Sequence, residues 1–322
     1  MPEIPSWDNL WKKLLSNEQI NAKIKRLDAL DLKFGFGEQH TYNLCKEIYS
    51  DYSLLIKDEK NLLTELKNEL NDLFNDFSYV YSVTARVKEI NSLIQKIILR
   101  RYKYYANTVI GEKYRNLSKD TYRLVITDLL GVRVTVRNTE EFRIFDNYLK
   151  QIFPLRATEY EYGKIYPHEE KPIIAEYPVF KHPKYESDKV EDLKDIFYLE
   201  PQKSGYRSVH YTLSKNEVYI ELQLRTIIDD GYSEINHEFV YKNENHPYYK
   251  VLNRLSDVLR MLSSASNDLS SLISKIHHDY LNEKQLDNQF KFLHNENKCI
   301  NEIKNSISHI SLMLDEFDTE EI

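Results

Sequence analysis

The chain has 322 residues, 41% of them hydrophobic, enough for a sizeable core, and its formal net charge of −7 argues against a non-specific nucleic-acid coat. No apolar run reaches the roughly 18 residues of a membrane span, and MPEIPSWDNLWKKLL has no apolar signal core, so a cytoplasmic protein without membrane association is expected. Cys45 and Cys299, the only cysteines, support neither a zinc site nor a disulfide framework.

Residues 1–82 read as a helical region. Leu62, Leu66, Leu70, Leu73, Phe74 and Phe77 recur at three- and four-residue spacing, the mark of an amphipathic helix over 62–80. From 83 to 117 the character changes: Arg86, Lys88, Lys96, Arg100, Arg101, Lys103, Lys113 and Arg115 are opposed only by Glu89 and Glu112, a local charge of +6 in an acidic protein. A helix starting near Asn91 would carry part of this stretch.

In LVITDLLGVRVTVR, Val132, Val134 and Val136 alternate with Arg133, Thr135 and Arg137, which predicts a half-buried strand. The following TEEFRIFDNYLKQIF predicts a helix with Thr139 as its cap. Strand followed by helix points to an α/β arrangement. Residues 154–201 hold six of the nine prolines and six tyrosines, which suits a long, partly extended surface segment. Residues 209–225 predict a hairpin in which Val218, Ile220, Leu222 and Leu224 face one way and Tyr219, Glu221, Gln223 and Arg225 the other. A helix near 226–242 follows. Residues 249–317 are again helical, with one apolar stripe through Leu252, Leu255, Leu259, Leu262, Leu269, Leu272 and Ile276 and a second through Ile300, Ile303, Ile307, Ile310 and Leu314. Such helices pack on the core or pair with another chain.

Two sets of residues stand out chemically. Asp128 and Glu221 each have an ordinary reading, as a turn residue and as part of a salt-bridged sheet face. If they come from neighbouring strands, they suit Mg²⁺, which takes one or two carboxylates plus substrate phosphates. Arg86, Lys88, Ser92 and Lys96 form either a solvated basic face or a phosphate grip, Arg as a fork and Lys as a point charge. Ser208 and His210 lack a third partner for a hydrolase triad. Glu234, His237 and Glu238 are weak as metal ligands, and no Walker-type glycine loop is present.

Taken together, the stretches ARVKEINSLIQKI, TDLLGVRV, KSGYRSVHYTL, IELQLRT and YSEINHEF resemble, in order, the RelA/SpoT synthetase domain of bacterial alarmone synthetases, over about residues 80–245. The resemblance implies an α/β (α+β) fold with a mixed five-stranded sheet flanked by helices. It divides the chain into an N-terminal helical region at 1–82, a pyrophosphotransferase domain at 83–245 and a C-terminal helical extension at 246–322. It implies transfer of the β,γ-pyrophosphate of ATP to the ribose 3′-hydroxyl of GDP or GTP, with Mg²⁺ as cofactor. By motif position, Arg86, Lys88 and Ser92 fall where the family grips ATP, with Lys96 on the same helix. Asp128 and Glu221 fall on the metal ligands, and Glu221 also on the base for the acceptor hydroxyl. Tyr206 falls on the ring that stacks on the acceptor base, and Lys203 and His210 on groups near the acceptor's phosphates and sugar. Gln223, Arg225, Glu234, Asn236 and His237 fall on positions that finish or brace the pocket.

The chain departs from the family pattern at the R-x-K-D motif, whose nearest match is Asp192-Leu193-Lys194-Asp195, without the Arg. The paired His-Asp hydrolase domain of long family members is absent, so alarmone hydrolysis is not expected. A toxin of the same fold, acting on the tRNA 3′ end or making adenosine alarmones, is the alternative, with Arg100, Arg101 and Lys103 available to an acceptor stem. A non-catalytic partner-binding protein is the third reading. The terminal helices are candidates for homo-oligomer contacts or for a neutralising protein partner.

Overall fold

The computed structural model describes residues 4–74, 80–106, 110–161, 164, 172–184, 190–202, 205–216, 218–236 and 249–282. Lys203, His237, Glu238, Cys299 and the apolar stripe at 300–314 lie outside the described residues.

Two helices open the chain, α1 (Trp7–Ser16) and α2 (Glu18–Lys33). Ser6 caps α1 by accepting the Asn9 amide, and Asn17 caps α2 by accepting the Ile20 amide at 3.1 Å. The long α3 (His40–Phe74) serves two cores. Its first half gives Leu44, Ile48 and Tyr52 to a helical cluster with α1, α2 and α4 (Ile90–Tyr104). Its second half lays Leu63, Leu66 and Leu70 on the sheet. On α4, Ile90, Leu93, Ile94, Ile97 and Ile98 make the buried stripe, so the helical period there is satisfied by packing.

Arg101 closes this cluster. It is fully buried, donates to Asp31 Oδ1 at 2.8 Å and to Thr41 Oγ1 at 3.0 Å, and Tyr105 donates to the same Asp31 oxygen at 2.7 Å. Arg101 is therefore withdrawn from the cations available to an acceptor stem; it is an internal tie between α2, α3 and α4.

Short helices α5 (Gly111–Arg115) and α6 (Tyr122–Val125) lead to the main strands. The sheet comprises β1 (Val80–Val87), β2 (Leu130–Val136), β3 (Ile173–Ile174), β4 (Val179–Pro183), β5 (Tyr198–Gln202), β6 (Ser208–Lys215) and β7 (Val218–Thr226). Its order is β1-β2-β7-β6-β4-β5, with β3 pairing to β6. It is mixed: β2–β7 and β4–β5 are parallel, the other pairs antiparallel. The sheet and its flanking helices fit the predicted class, but the described residues hold seven strands, not five. Three of them come from the Pro- and Tyr-rich segment, where Pro201 sits on the edge strand β5 and Pro183 at the end of β4, beyond its pairing with β6, so a missing donor is tolerated. The other correction is β1, which begins inside the region read as helix.

One sheet face carries Val132, Val134, Val209, Tyr211, Leu222 and Leu224 against α3 and against Phe142, Phe145 and Leu149 of α7 (Glu141–Ile152). Thr139 does not cap α7. Instead the buried Glu141 carboxylate turns back and accepts the Arg137 amide at 2.7 Å. Beyond β7 come α8 (Ile227–Ile235) and α9 (Tyr249–Asn282). The stripe predicted on α9 splits. Leu272 is buried with Val258 and Ala265, whereas Leu255, Leu262 and Leu269 are exposed. Among the described residues no helix is long and apolar enough to cross a membrane.

Candidate active site

The other sheet face is polar, and strand pairing aligns its residues in rows. Arg86 of β1 pairs with Gly131, Gly131 with Glu221 of β7, and Glu221 with Thr212 of β6. Two residues along, Thr84, Arg133, Gln223 and His210 form the next row. The period of two that buries the valines thus collects the chemistry on the opposite face.

Asp128 sits in the turn before β2. The Lys88 amide donates to the Leu129 carbonyl at 2.8 Å, extending the β1–β2 pairing and fixing Lys88 beside that turn. Lys88 Nζ meets Asp128 Oδ2 at 2.8 Å, and Lys96 Nζ, two turns into α4, meets the same oxygen at 2.6 Å. The second oxygen, Oδ1, is buried and has no hydrogen-bond partner. Burial pushes the Asp128 carboxyl up, but Lys96 and Lys88 outweigh it and hold it below its ordinary value. Burial pulls the Lys96 ammonium down, against the upward pull of Asp128.

Glu221 is held by its neighbours. His210 Nδ1 lies 3.1 Å from Oε1, and Gln223 Nε2 donates to Oε2 at 2.6 Å. Burial opposes ionisation of Glu221, but the His210 hydrogen bond and the Lys96 and Lys181 ammoniums overcome it and keep the carboxyl well below the usual carboxylate range. His210 is pulled down by burial and by Lys181, so at neutral pH its ring is uncharged. The hydrogen bonds assign its tautomer: Nδ1–H donates to Glu221, and Nε2 accepts the Tyr206 hydroxyl at 2.9 Å. Arg225 donates to that hydroxyl at 3.0 Å and to Gln223 Oε1 at 2.7 Å, and its guanidinium lies 5.1 Å from the centre of the Tyr206 ring. Tyr206, His210, Glu221, Gln223 and Arg225 therefore form one connected network.

Asp128, Glu221, His210 and Lys96 line a single cavity of about 280 Å³. Its remaining wall includes Arg100, Lys113, Lys181, Glu200 and Thr212, with Glu176 accepting from Thr212 at 2.5 Å. With Lys164, the cavity brings five cations beside acidic metal-type ligands, a combination suited to a phosphorylated ligand. Lys181 and Glu200 had no sequence signal, because the prolines of 154–201 mask the alternation of β4 and β5. Arg100 and Lys113 were visible only as part of the basic stretch.

The other candidates lie around this centre. Arg86 is exposed at the end of β1, in the row of Glu221, and Ser92 is exposed in the first turn of α4; neither lines the cavity. Glu234 accepts from Arg133 at 2.7 Å, and Arg133 also pairs with Asp230. Asn236 accepts from Ser256 of α9 at 2.6 Å. Ser208 is buried and donates to the Leu224 carbonyl, which leaves no hydrolase pairing with His210. In segment 192–195, Lys194 pairs with Glu191, and Asp195 pairs with Arg143 of α7; neither lines the cavity. Among the described residues no group of three His, Cys, Asp or Glu side chains is arranged to hold a metal alone. Asp128 and Glu221 still fit Mg²⁺ bound jointly with phosphates, since Asp128 Oδ1 is buried without a partner and both carboxyls are held ionised.

Residues 85–246 match the family model described as the region found in RelA/SpoT proteins. Among solved structures, the chain is similar to small alarmone synthetase 1 from Bacillus subtilis bound to its product pppGpp, at 17% identity over 71% of this chain and 98% of that one, with a TM-score of 0.45. It is similar also to a GTP pyrophosphokinase family protein from Streptococcus pneumoniae, at 17% identity over 71% of this chain and 94% of that one, with a TM-score of 0.45. Small alarmone synthetase 2 from Bacillus subtilis matches at 19% identity over 70% of this chain and 96% of that one, with a TM-score of 0.40. No curated protein matches the chain.

Proposed function

Because the chain belongs to the RelA/SpoT family, we propose that it is an ATP-dependent pyrophosphotransferase that moves the β,γ-pyrophosphate of ATP to the ribose 3′-hydroxyl of GDP or GTP. The observation that carries this reading is the convergence of Asp128, Glu221 and Lys96 on one cavity, with Lys88 on the same Asp128 oxygen. In the reaction, the acceptor 3′-oxygen bonds to the β-phosphorus of ATP. The bond from that phosphorus to the α,β-bridging oxygen breaks, and AMP leaves with the electron pair.

Each part of the site has a task in that step. Lys88 and Lys96 move from Asp128 to the phosphates, joined by Arg86 and Ser92 at the rim, and offset the negative charge of the donor. Asp128 and Glu221 are the residues that would hold Mg²⁺, which supplies charge neutralisation across the phosphates when bound. Tyr206 offers its ring to the acceptor base, His210 serves the acceptor's sugar and phosphates, and Lys203 is assigned to the same acceptor groups by motif position alone. Glu221 accepts a hydrogen bond from the 3′-hydroxyl and takes its proton late, as the new P–O bond makes that proton acidic. His210, Gln223 and Arg225 hold Glu221 and Tyr206 in place, while Glu234, through Arg133, and Asn236, through Ser256, brace the elements behind them, and His237 is assigned a bracing role by motif position alone.

A second reading keeps the chemistry and changes the acceptor to a tRNA 3′ end or an adenosine nucleotide. It is favoured by segment 192–195, which lacks the Arg of R-x-K-D and whose Lys194 and Asp195 pair away from the cavity. The test is incubation with ATP labelled at the γ-phosphate and GDP, GTP, AMP or deacylated tRNA in separate reactions. Label on GDP or GTP with release of AMP supports the first reading. Label on tRNA or AMP alone replaces it with the second, and no transfer to any acceptor refutes both.

A further inference from the structure

The face of α9 formed by Ser256, Arg260, Ser263 and Asn267, three or four residues apart, packs against α8 and, through Arg260, against Gly205 of the segment that carries Tyr206. Ser263 and Asn267 donate to Asp229 Oδ1 at 2.8 and 3.1 Å, and the same oxygen accepts Arg207 Nη1 at 2.9 Å. All four residues are buried, Asp229 completely. Thr226 donates to the other Asp229 oxygen at 2.7 Å, so this carboxylate joins the end of β7, the start of α8, the 205–207 segment and α9. A second tie runs past Tyr232 of α8, which is buried beside Ser256 and the Gly205 backbone. The third is steric: a Cβ on Gly205 would lie 2.1 Å from Arg260 Cγ and 2.5 Å from its Cδ. Gly205 is not among the residues with positive φ. Glycine is needed at 205 for the close approach of the Arg260 stem, not for a special backbone bend.

We propose that α9 is a positioning element for the acceptor: Ser263 and Asn267, through Asp229 and Arg207, and Arg260, against Gly205, set where the Tyr206 ring stands. What Tyr206 binds rests on the pyrophosphotransferase reading; the mechanical coupling of α9 to residues 205–210 does not. A residue that only stabilises the fold would affect donor and acceptor alike. A positioning residue acts on the acceptor selectively.

The test uses the full chain carrying Ser263→Ala and Asn267→Ala together, with two readouts. Amide hydrogen exchange should quicken about tenfold or more at 205–210, the scale expected from losing two buried hydrogen bonds, and stay unchanged in β2. The acceptor KM should rise about tenfold, with the KM for ATP and kcat at saturation within about twofold of the parent. Ser263→Thr, which keeps the hydroxyl, should stay near the parent in both. Gly205→Ala should reproduce the acceptor defect, and adding Arg260→Ala should recover it. Unchanged exchange at 205–210, or equal rises in both KM values, overturns the proposal. A parent chain without transfer refutes the function but leaves the exchange result to decide the coupling.

Discussion

Asp128→Asn probes the electrostatics of the site directly. Lys88 and Lys96 touch one Asp128 oxygen at 2.8 and 2.6 Å, so their ammoniums lie within about 5 Å of each other. At an effective dielectric of about 20, two like charges at about 5 Å repel by about 3 kcal/mol. In the native protein the carboxylate more than offsets that repulsion; asparagine leaves it standing. Both lysines are mostly buried, with side chains 14% and 25% exposed, so solvent relieves only part of it. The variant should lose about 2–3 kcal/mol of stability at pH 7. Denaturant unfolding checks this, and the double variant Asp128→Asn with Lys96→Met should recover most of the loss. A single variant within about 0.5 kcal/mol of the parent, or a double variant no more stable than the single, refutes the reasoning. Pyrophosphate transfer should fall at least about a hundredfold in both, because the metal-type ligand is gone.

Glu221→Gln should lower transfer by about 10²–10⁴-fold with little change in acceptor KM, measured by release of AMP. Tyr206→Ala should raise the acceptor KM by roughly 5–150-fold, whereas Tyr206→Phe, which keeps the ring, should fall well short of that in initial-rate assays with varied acceptor. Since His210 has its value lowered from 6.5 on folding, the unfolded chain binds more protons just below that pH. The His210 contribution is therefore fully present above pH 6.5 and is lost as pH falls towards the folded value, with His40, shifted the same way, adding to the slope. In His210→Asn, the pH dependence of unfolding free energy between about 5 and 6.5 should flatten but not vanish.

What the sequence made legible follows from periodicity. The alternation of Val132, Val134 and Val136, and of Val218 through Leu224, gave β2 and β7 and assigned Glu221, Gln223 and Arg225 to one face. The strand β1 was not legible, because its exposed residues Tyr81 and Ser82 break the alternation and a basic run follows it. The prolines of 154–201 hid β4 and β5, and with them Lys181 and Glu200 on the cavity wall. Charge counting read Arg101 as part of a basic surface, since nothing local reveals a partner seventy residues away; Asp31 supplies it. The stripe on α9 misled in a different way. The buried contacts of that helix are largely small or polar, at Ser256, Ser263 and Asn267, and a hydrophobic pattern cannot find a face built on hydrogen bonds.

The pairing of Asp128 with two lysines also bears on the order of events. On the proposed reading, both ammoniums hold Oδ2 while Oδ1 has no partner, so the charge of Lys96 would oppose a divalent cation at Asp128, and Lys96 would turn to phosphate when ATP binds. Binding of donor and metal is then linked: each draws a partner from the other's ligand and each raises the other's affinity by the same factor. Lys96→Met separates the two effects, since it removes a competitor for the metal and a partner for the phosphates at once. Without nucleotide, the variant should bind Mn²⁺, a paramagnetic stand-in for Mg²⁺, several-fold more tightly, as read from the free-ion resonance signal. Its ATP affinity, measured by calorimetry, should fall about tenfold or more, the scale of one lost charge-assisted contact. Mn²⁺ binding that is unchanged or weaker in Lys96→Met would mean that Lys96 and the cation do not share Asp128, and the linkage would have to be abandoned.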